Sequence, residues 1–320
     1  MNENFESKKV IDDLLAQRSA LSVRKLLLGT DWWTDADDVI AMQLLAWAHK
    51  NKIVELVGVG INACMEHSAP SVCAYLEDSG IENIRIGIDF EANDFTGTPK
   101  YQKRMAAFSK RIKKNEDAEN AVRMYRSILA CATEKIDIAE IGFCQLLSGV
   151  LESGPDDISP LDGKTLFETK VRKVWVMAGK WDVDGGREHN FDNNERARNA
   201  AEKFCRLCPC EVTFLGWEIG NTVISGSRLK GRDTFTANAL FDNLMANGRS
   251  SWDPMLVLLA LIGDEEKAGY TTVRGKASVD ASDGSNHFAI DEKGKHRFVV
   301  KTKDDKWYSD IIDEILDMPY

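Results

Sequence analysis

The chain has 320 residues, 43% of them hydrophobic and 29% charged, enough for one large α/β domain or two small ones with a sizeable core. Its formal net charge of −10 argues against a nucleic-acid partner, because phosphate contacts need a basic face. No apolar run reaches the roughly 18 residues that a membrane helix requires, so no membrane partner is expected either.

The opening stretch, MNENFESKKVIDDLLAQRSA, is polar and mixed in charge. It lacks the basic start and apolar centre of a signal peptide, which points to a cytoplasmic protein. Seven cysteines, an odd count scattered along the chain, then read as reduced thiols. Cys205, Cys208 and Cys210 in FCRLCPCEV supply three of the four ligands of a zinc site, but no fourth stands nearby. Core or surface thiols are the favoured reading there.

Residues 1–22 are expected to form a helical extension ahead of one domain spanning 23–320. KLLLG (25–29) is a short apolar strand, followed by a helical pattern from Asp37 to His49. IVELVGVGI (53–61) is β-rich and leads into a helix over 70–79. NIRIGI (83–88) is a third strand. Residues 89–118 are polar and irregular and read as a long excursion or lid. A helix over 119–134, a strand over 136–142 and a helix over 144–152 follow. The stretch 153–164 resembles a linker but is too short to demand a second domain. Next come a strand (171–179), a helix (193–207), a strand (210–216) and helices at about 235–247 and 253–262. YTTVRGKASVD and HRFVVKT read as strands of a separate hairpin-like patch, and 304–317 is a closing helix. This alternation predicts an α/β fold: one mainly parallel sheet flanked by helices on both faces, with a small extra β patch near the C-terminus.

Ligands of such sheets bind beyond the carboxyl ends of the strands. Four features fall at that edge: the aspartates after the first strand, GFCQ (142–145), GREHN (186–190) and SSWDP (250–254). In KLLLGTDWWTDADDVIAM (25–42), Asp31, Asp35, Asp37 and Asp38 lie within eight residues. Some of them can simply cap a helix. Carboxylates packed this densely also repel one another, by about 1 kcal/mol per close pair in water. A divalent cation relieves that repulsion, and oxygen-only ligands suit hard calcium or magnesium. The central Gly and terminal Glu of an EF-hand loop are missing. The phosphatase pattern Asp-x-Asp-x-Thr fails at Trp33. Trp32, Trp33 and Trp252 offer flat apolar surface for a nucleobase, where stacking is worth about 1–3 kcal/mol. The alternative for the loop pair is a place in the core.

TDWWTDADDVIAM resembles the N-terminal motif of the nucleoside hydrolases, the calcium-dependent N-ribohydrolases. The match is to the longer form, Thr-Asp-Ile-Gly-Asp-Asp-Ile-Asp-Asp-Ala-x-Ala-Leu, without a gap. VELVGVGINACMEHSAPSVCAYL, IGFCQLLSGVLES, VWVMAGKWDVDGGREHNFDNNERARNAA and SSWDPMLVLLAL resemble later segments of that family, in the right order. The resemblance implies the nucleoside hydrolase fold, with an open Rossmann-like core. It implies hydrolysis of the N-glycosidic bond of a ribonucleoside, by a calcium-held water that Asp31 deprotonates. It places Asp31, Asp38, the Gln145 carbonyl and Asp253 on Ca²⁺. It places Asp37, Asn62, Glu188 and Asn190 on the substrate; Trp252, Trp32 and Trp33 are added as contacts by their flat aromatic surface. It also implies a role in purine and pyrimidine salvage and a homodimer or homotetramer.

The sequence departs from that pattern in places. Gly29 replaces the first Asp of the motif, Trp33 a Gly and Phe143 a Pro. Trp252 stands where many members carry the His that protonates the leaving base. His67 reads as a surface loop residue. His189, in an extended segment, would point away from Glu188 and Asn190. These departures keep two alternatives open: a hydrolase of another ribosyl compound, or a calcium- and ribose-binding protein without catalysis.

Overall fold

A computed structural model describes residues 3–17 and 23–319. The chain runs α1 (Glu3–Ala16), β1 (Arg24–Thr30), α2 (Asp37–Lys50), β2 (Val54–Ile61), α3 (Ser68–Asp78), β3 (Arg85–Ile88), α4 (Gln102–Ala106), β4 (Glu119–Asn120) and α5 (Ala121–Cys131). It continues through β5 (Ile136–Glu140), α6 (Gln145–Glu152), α7 (Gly163–Lys170), β6 (Val171–Met177), α8 (His189–Asp192), α9 (Glu195–Leu207), β7 (Glu211–Leu215) and α10 (Trp217–Gly220). It closes with β8 (Ile224–Ser225), α11 (Phe235–Asp242), β9 (Arg249–Ser250), α12 (Trp252–Ile262), β10 (Tyr270–Val279), β11 (Asn286–Ile290), β12 (His296–Lys301) and α13 (Asp305–Asp317).

Local chemistry sets many of these boundaries. The side chains of Asn120, Asp162, Asn194, Thr234 and Asp304 each accept a backbone N–H in the first turn of α5, α7, α9, α11 and α13, satisfying donors that a helix start leaves free. Gly263, with φ +75°, closes α12 in the left-handed conformation that ends many helices.

The main sheet has ten strands in the order β11-β10-β12-β7-β6-β5-β1-β2-β3-β4. β1 runs parallel between β2 and β5, and β5, β6 and β7 follow in parallel. Leu26 and Leu28 pack into one core cluster and Leu27 into the other, as side-chain alternation demands. Residues of α2, α3, α12 and α13 fill the first cluster and those of α5, α6, α7 and α9 the second. Cys205, Cys208 and Cys210 are buried in the second.

Two expectations are refined. The C-terminal strands are antiparallel to one another, but they do not form a separate patch: β12 pairs in parallel with β7, so they extend the main sheet. Residues 89–118 contain α4 and cover the acidic loop. Gln102 donates to the Trp32 carbonyl, Tyr101 meets the Trp32 ring edge-on, and Phe95 stacks on Phe143.

Candidate active site

β1 ends at Thr30, whose hydroxyl donates to the carboxylate of Asp38. The loop that follows folds back on its own aspartates: the Trp32 N–H reaches Asp38 Oδ1 at 3.2 Å, and the Trp33 N–H reaches Asp31 Oδ1 at 3.1 Å. α2 then begins with Asp37 and Asp38 in its first turn, and α12 begins with Asp253 in its own. The two helix starts meet, with the Asp253 N–H donating to Asp37 Oδ2 at 3.4 Å. Each presents a partial positive charge to these carboxylates.

Carboxylate oxygens of Asp37, Asp38 and Asp253 lie within 4.8 Å of one another, and all three residues are buried. Burial, reinforced by the neighbouring aspartates, pushes their carboxyl groups well above the ordinary range. Asp31 is pushed to about 8 by burial and then by Asp37. This donor set fits a hard divalent cation: the ligands are all oxygen, and they are short of positive charge. Arg249 lines the same pocket, but its guanidinium is committed to Asp35, at 2.6 and 3.0 Å from Oδ2.

The triad opens into a pocket of about 350 Å³, also lined by Asp31, Glu188, Asn190, Trp33, His189, Trp217 and Trp252. Glu188 caps α8: its Oε1 accepts the Asn190 N–H at 2.9 Å and its Oε2 the Gly179 N–H at 2.9 Å. Burial raises its carboxyl to about 7. The Asn190 amide donates to the Met177 carbonyl at 2.9 Å. Residues from the loop after β1 and from β6, α2, α8 and α12 therefore converge at the carboxyl edge of the sheet, as such sheets dictate.

Several expected residues stand elsewhere. Trp32 is 0% exposed; its indole donates to Ser71 Oγ at 2.8 Å and packs edge-on against Tyr75, so it is anchored in the core and does not line the pocket. Asn62 is fully buried outside the pocket lining, donating to Glu140 Oε1 at 2.8 Å. Gln145 lines a different cleft, and its carbonyl accepts from Ser148 Oγ at 3.2 Å. Asp37 joins Asp38 and Asp253 in the carboxylate cluster, and Asp31 lines the pocket beside them. His67 lies outside the pocket. His189 lies inside it, because the segment after Glu188 is helical rather than extended. Its ring stacks on Trp33 with centroids 5.8 Å apart, and burial lowers its pKa.

Three neighbours were not anticipated. Trp217 follows β7 and stacks on Trp252 with centroids 6.5 Å apart; the strand-end rule that singles out the other loops applies equally to it. Arg249, one residue before SSWDP, lies 4.9 Å over the Trp252 ring. Glu140 lies beneath the acidic loop with no sequence signal beyond a carboxylate inside a buried strand.

No family model and no curated protein matches the sequence. Solved structures do match. One is a purine-preferring ribonucleoside hydrolase from Gardnerella vaginalis, with TM-score 0.70 and 16% identity over 91% of this chain and 98% of that one. Another is an inosine-uridine preferring nucleoside hydrolase from Bacillus anthracis, with TM-score 0.67 and 16% identity over 91% of this chain and 98% of that one. A third is the type III effector protein XopQ complexed with adenosine diphosphate ribose, with TM-score 0.67 and 13% identity over 97% of each chain. The fold is that of the nucleoside hydrolases. At these identities the likeness is one of fold. Among the described residues no helix is long and apolar enough to cross a membrane.

Proposed function

We propose that this protein is a calcium-dependent ribohydrolase that cleaves the N-glycosidic bond of a ribonucleoside, releasing ribose and a nucleobase. The single observation that carries the reading is the meeting of Asp37, Asp38 and Asp253 in a pocket shared with Asp31, Glu188 and Asn190. These three aspartates, with Asp31 beside them, would hold the ion. When bound, calcium supplies positive charge that neutralises them and polarises the oxygens it touches. Asp31 accepts the proton of the water that attacks the anomeric carbon. The C–N bond breaks, and its electron pair leaves with the base. Glu188 and Asn190 hold the ribose hydroxyls and fix the ring. Carboxylates around the sugar stabilise the oxocarbenium-like charge that develops on it. The resemblance supports nucleoside salvage and a homodimer or homotetramer; the polar N-terminal stretch and the scattered cysteines support a cytoplasmic setting, and residues 1–22, of which 1, 2 and 18–22 lie outside the described residues, are read as an extension on a domain of 23–320.

A second reading keeps the scaffold and changes the substrate to another ribosyl compound. Two observations support it. Trp252, with Arg249 over its ring, lines the pocket where the resemblance expects a His, and a solved structure of the same fold is complexed with adenosine diphosphate ribose.

The test is ribose release from inosine, uridine, adenosine and p-nitrophenyl riboside, and adenine release from adenosine diphosphate ribose. Release that stops in a chelator and returns with calcium is the expected result. A folded, calcium-loaded protein that cleaves none of them is a binding protein and overturns the reading.

A further inference from the structure

Gly29 leaves β1 without a side chain next to Thr30, where the motif begins. The neighbouring strand fills that space. Glu140, the last residue of β5, is the cross-strand partner of Gly29. It is fully buried, and a methyl group added at Gly29 would stand 2.0 Å from its Oε2 and 2.6 Å from its Oε1. Oε1 accepts the Asn62 amide at 2.8 Å and the Gly142 N–H at 3.1 Å. Asn62 Oδ1 in turn accepts the Phe143 N–H at 3.0 Å. Oε2 has no hydrogen-bond partner among the described residues. The turn held in this way presses on the start of the acidic loop, since a methyl group at Gly142 would stand 2.4 Å from the Asp31 nitrogen.

A buried carboxylate with one unpartnered oxygen is costly, and an apolar side chain of similar size would pack at less cost. What the carboxylate provides here is position. We propose that Glu140 is a positioning residue of the acidic site: from β5 it sets a carboxylate in the space that Gly29 leaves open, and it holds the Asn62–Gly142–Phe143 turn against Asp31. This rests on the reading of the pocket as a calcium site. Position 29 and position 140 cannot both carry a large side chain.

The test is calcium titration by calorimetry into the full chain and its variants. Glu140→Ala is expected to weaken calcium binding by at least about tenfold, the usual scale for losing a partner behind a metal ligand. Gly29→Asp alone is expected to weaken it too, because the new side chain meets the Glu140 carboxylate. The double variant Glu140→Ala/Gly29→Asp is expected to recover affinity to within about threefold of the parent, whereas Glu140→Ala/Gly29→Ala, which restores bulk without charge, is expected not to recover. Parental affinity in Glu140→Ala, or a double variant no better than the weaker single, overturns the proposal. If the double variant does not fold, Glu140→Gln decides. It keeps the shape, so an unchanged melting temperature with at least about tenfold weaker calcium binding supports the role, and unchanged binding rejects it. If the parent binds no calcium, it is the ribohydrolase reading that fails. The Glu140 proposal is then judged by melting temperatures in chelator: coupled effects at 29 and 140 support it, and additive ones reject it.

Discussion

Asp31 and Trp32 are adjacent in the chain and part company in space. Trp32 has φ +47°, a left-handed conformation that residues other than glycine seldom adopt. That dihedral sends the Trp32 ring into the core and leaves Asp31 and Trp33 at the pocket. If Asp31 is the group that takes the proton from water, Asp31→Asn keeps the shape and one acceptor oxygen but loses the base. Steady-state kinetics on whichever riboside is cleaved best should then show kcat lower by at least about 10²-fold, the scale of losing general base catalysis; near-parental kcat would assign water activation to another group. The crowded aspartates were legible in the sequence because charge repulsion is a property of composition and spacing. Which tryptophan faces the pocket was not, because that depends on φ at Trp32, and Gln102 and Tyr101, from a segment without clear periodicity, hold that turn in place. His189 was misjudged for a similar reason. Glu188 caps a short helix there, and helical backbone turns the imidazole into the pocket.

At the scale of elements, the start of α12 decides how the leaving base is treated. Trp252 is its first residue, and its indole N–H is already donated to the Trp217 carbonyl at 2.8 Å. It neither titrates near neutrality nor has its donor free. Substrates whose leaving group needs no proton, such as p-nitrophenyl riboside, should therefore be cleaved much faster than uridine or inosine; equal rates would mean that a working acid is present, with His189 the residue to test next. Trp252→Ala should raise KM for aromatic ribosides by an amount equivalent to about 1–3 kcal/mol of stacking. A lower melting temperature with KM unchanged would instead make the ring a packing element between α10 and α12. Strand and helix identities were legible because apolar periodicity reports which face is buried. Partnership was not. The strands at 270–279 and 296–301 announced themselves, but periodicity does not say which edge a strand joins, and only the pairing of β12 with β7 places them in the main sheet.

At the scale of the molecule, the acidic pocket ties stability to pH. Without a cation, burial raises Asp31 and Glu140 to about 8 and Glu188 to about 7, and raises Asp37, Asp38 and Asp253 as well. The unfolded chain loses the same protons near pH 4. Between about pH 4 and pH 8 the folded state thus holds more protons than the unfolded one, and these groups make the metal-free protein less stable as pH rises. Calcium binds the ionised carboxylates, so its stabilisation grows over the same range. The rise in melting temperature on adding calcium should be larger at pH 8 than at pH 5; an equal rise at both would show that the carboxylates are not what the ion binds. The Arg24 guanidinium, at the start of β1, donates to the carbonyls of Ala260 and Leu261 at the far end of α12. Strand and helix are thus pinned together at one end, while Asp31 just beyond β1 and Asp253 on α12 face a common pocket at the other. An α-helix of eleven residues is about 16 Å long. The pair behaves as a pair of tweezers with Arg24 at the hinge, so the spacing of the jaws is set on the opposite side of the sheet from the chemistry.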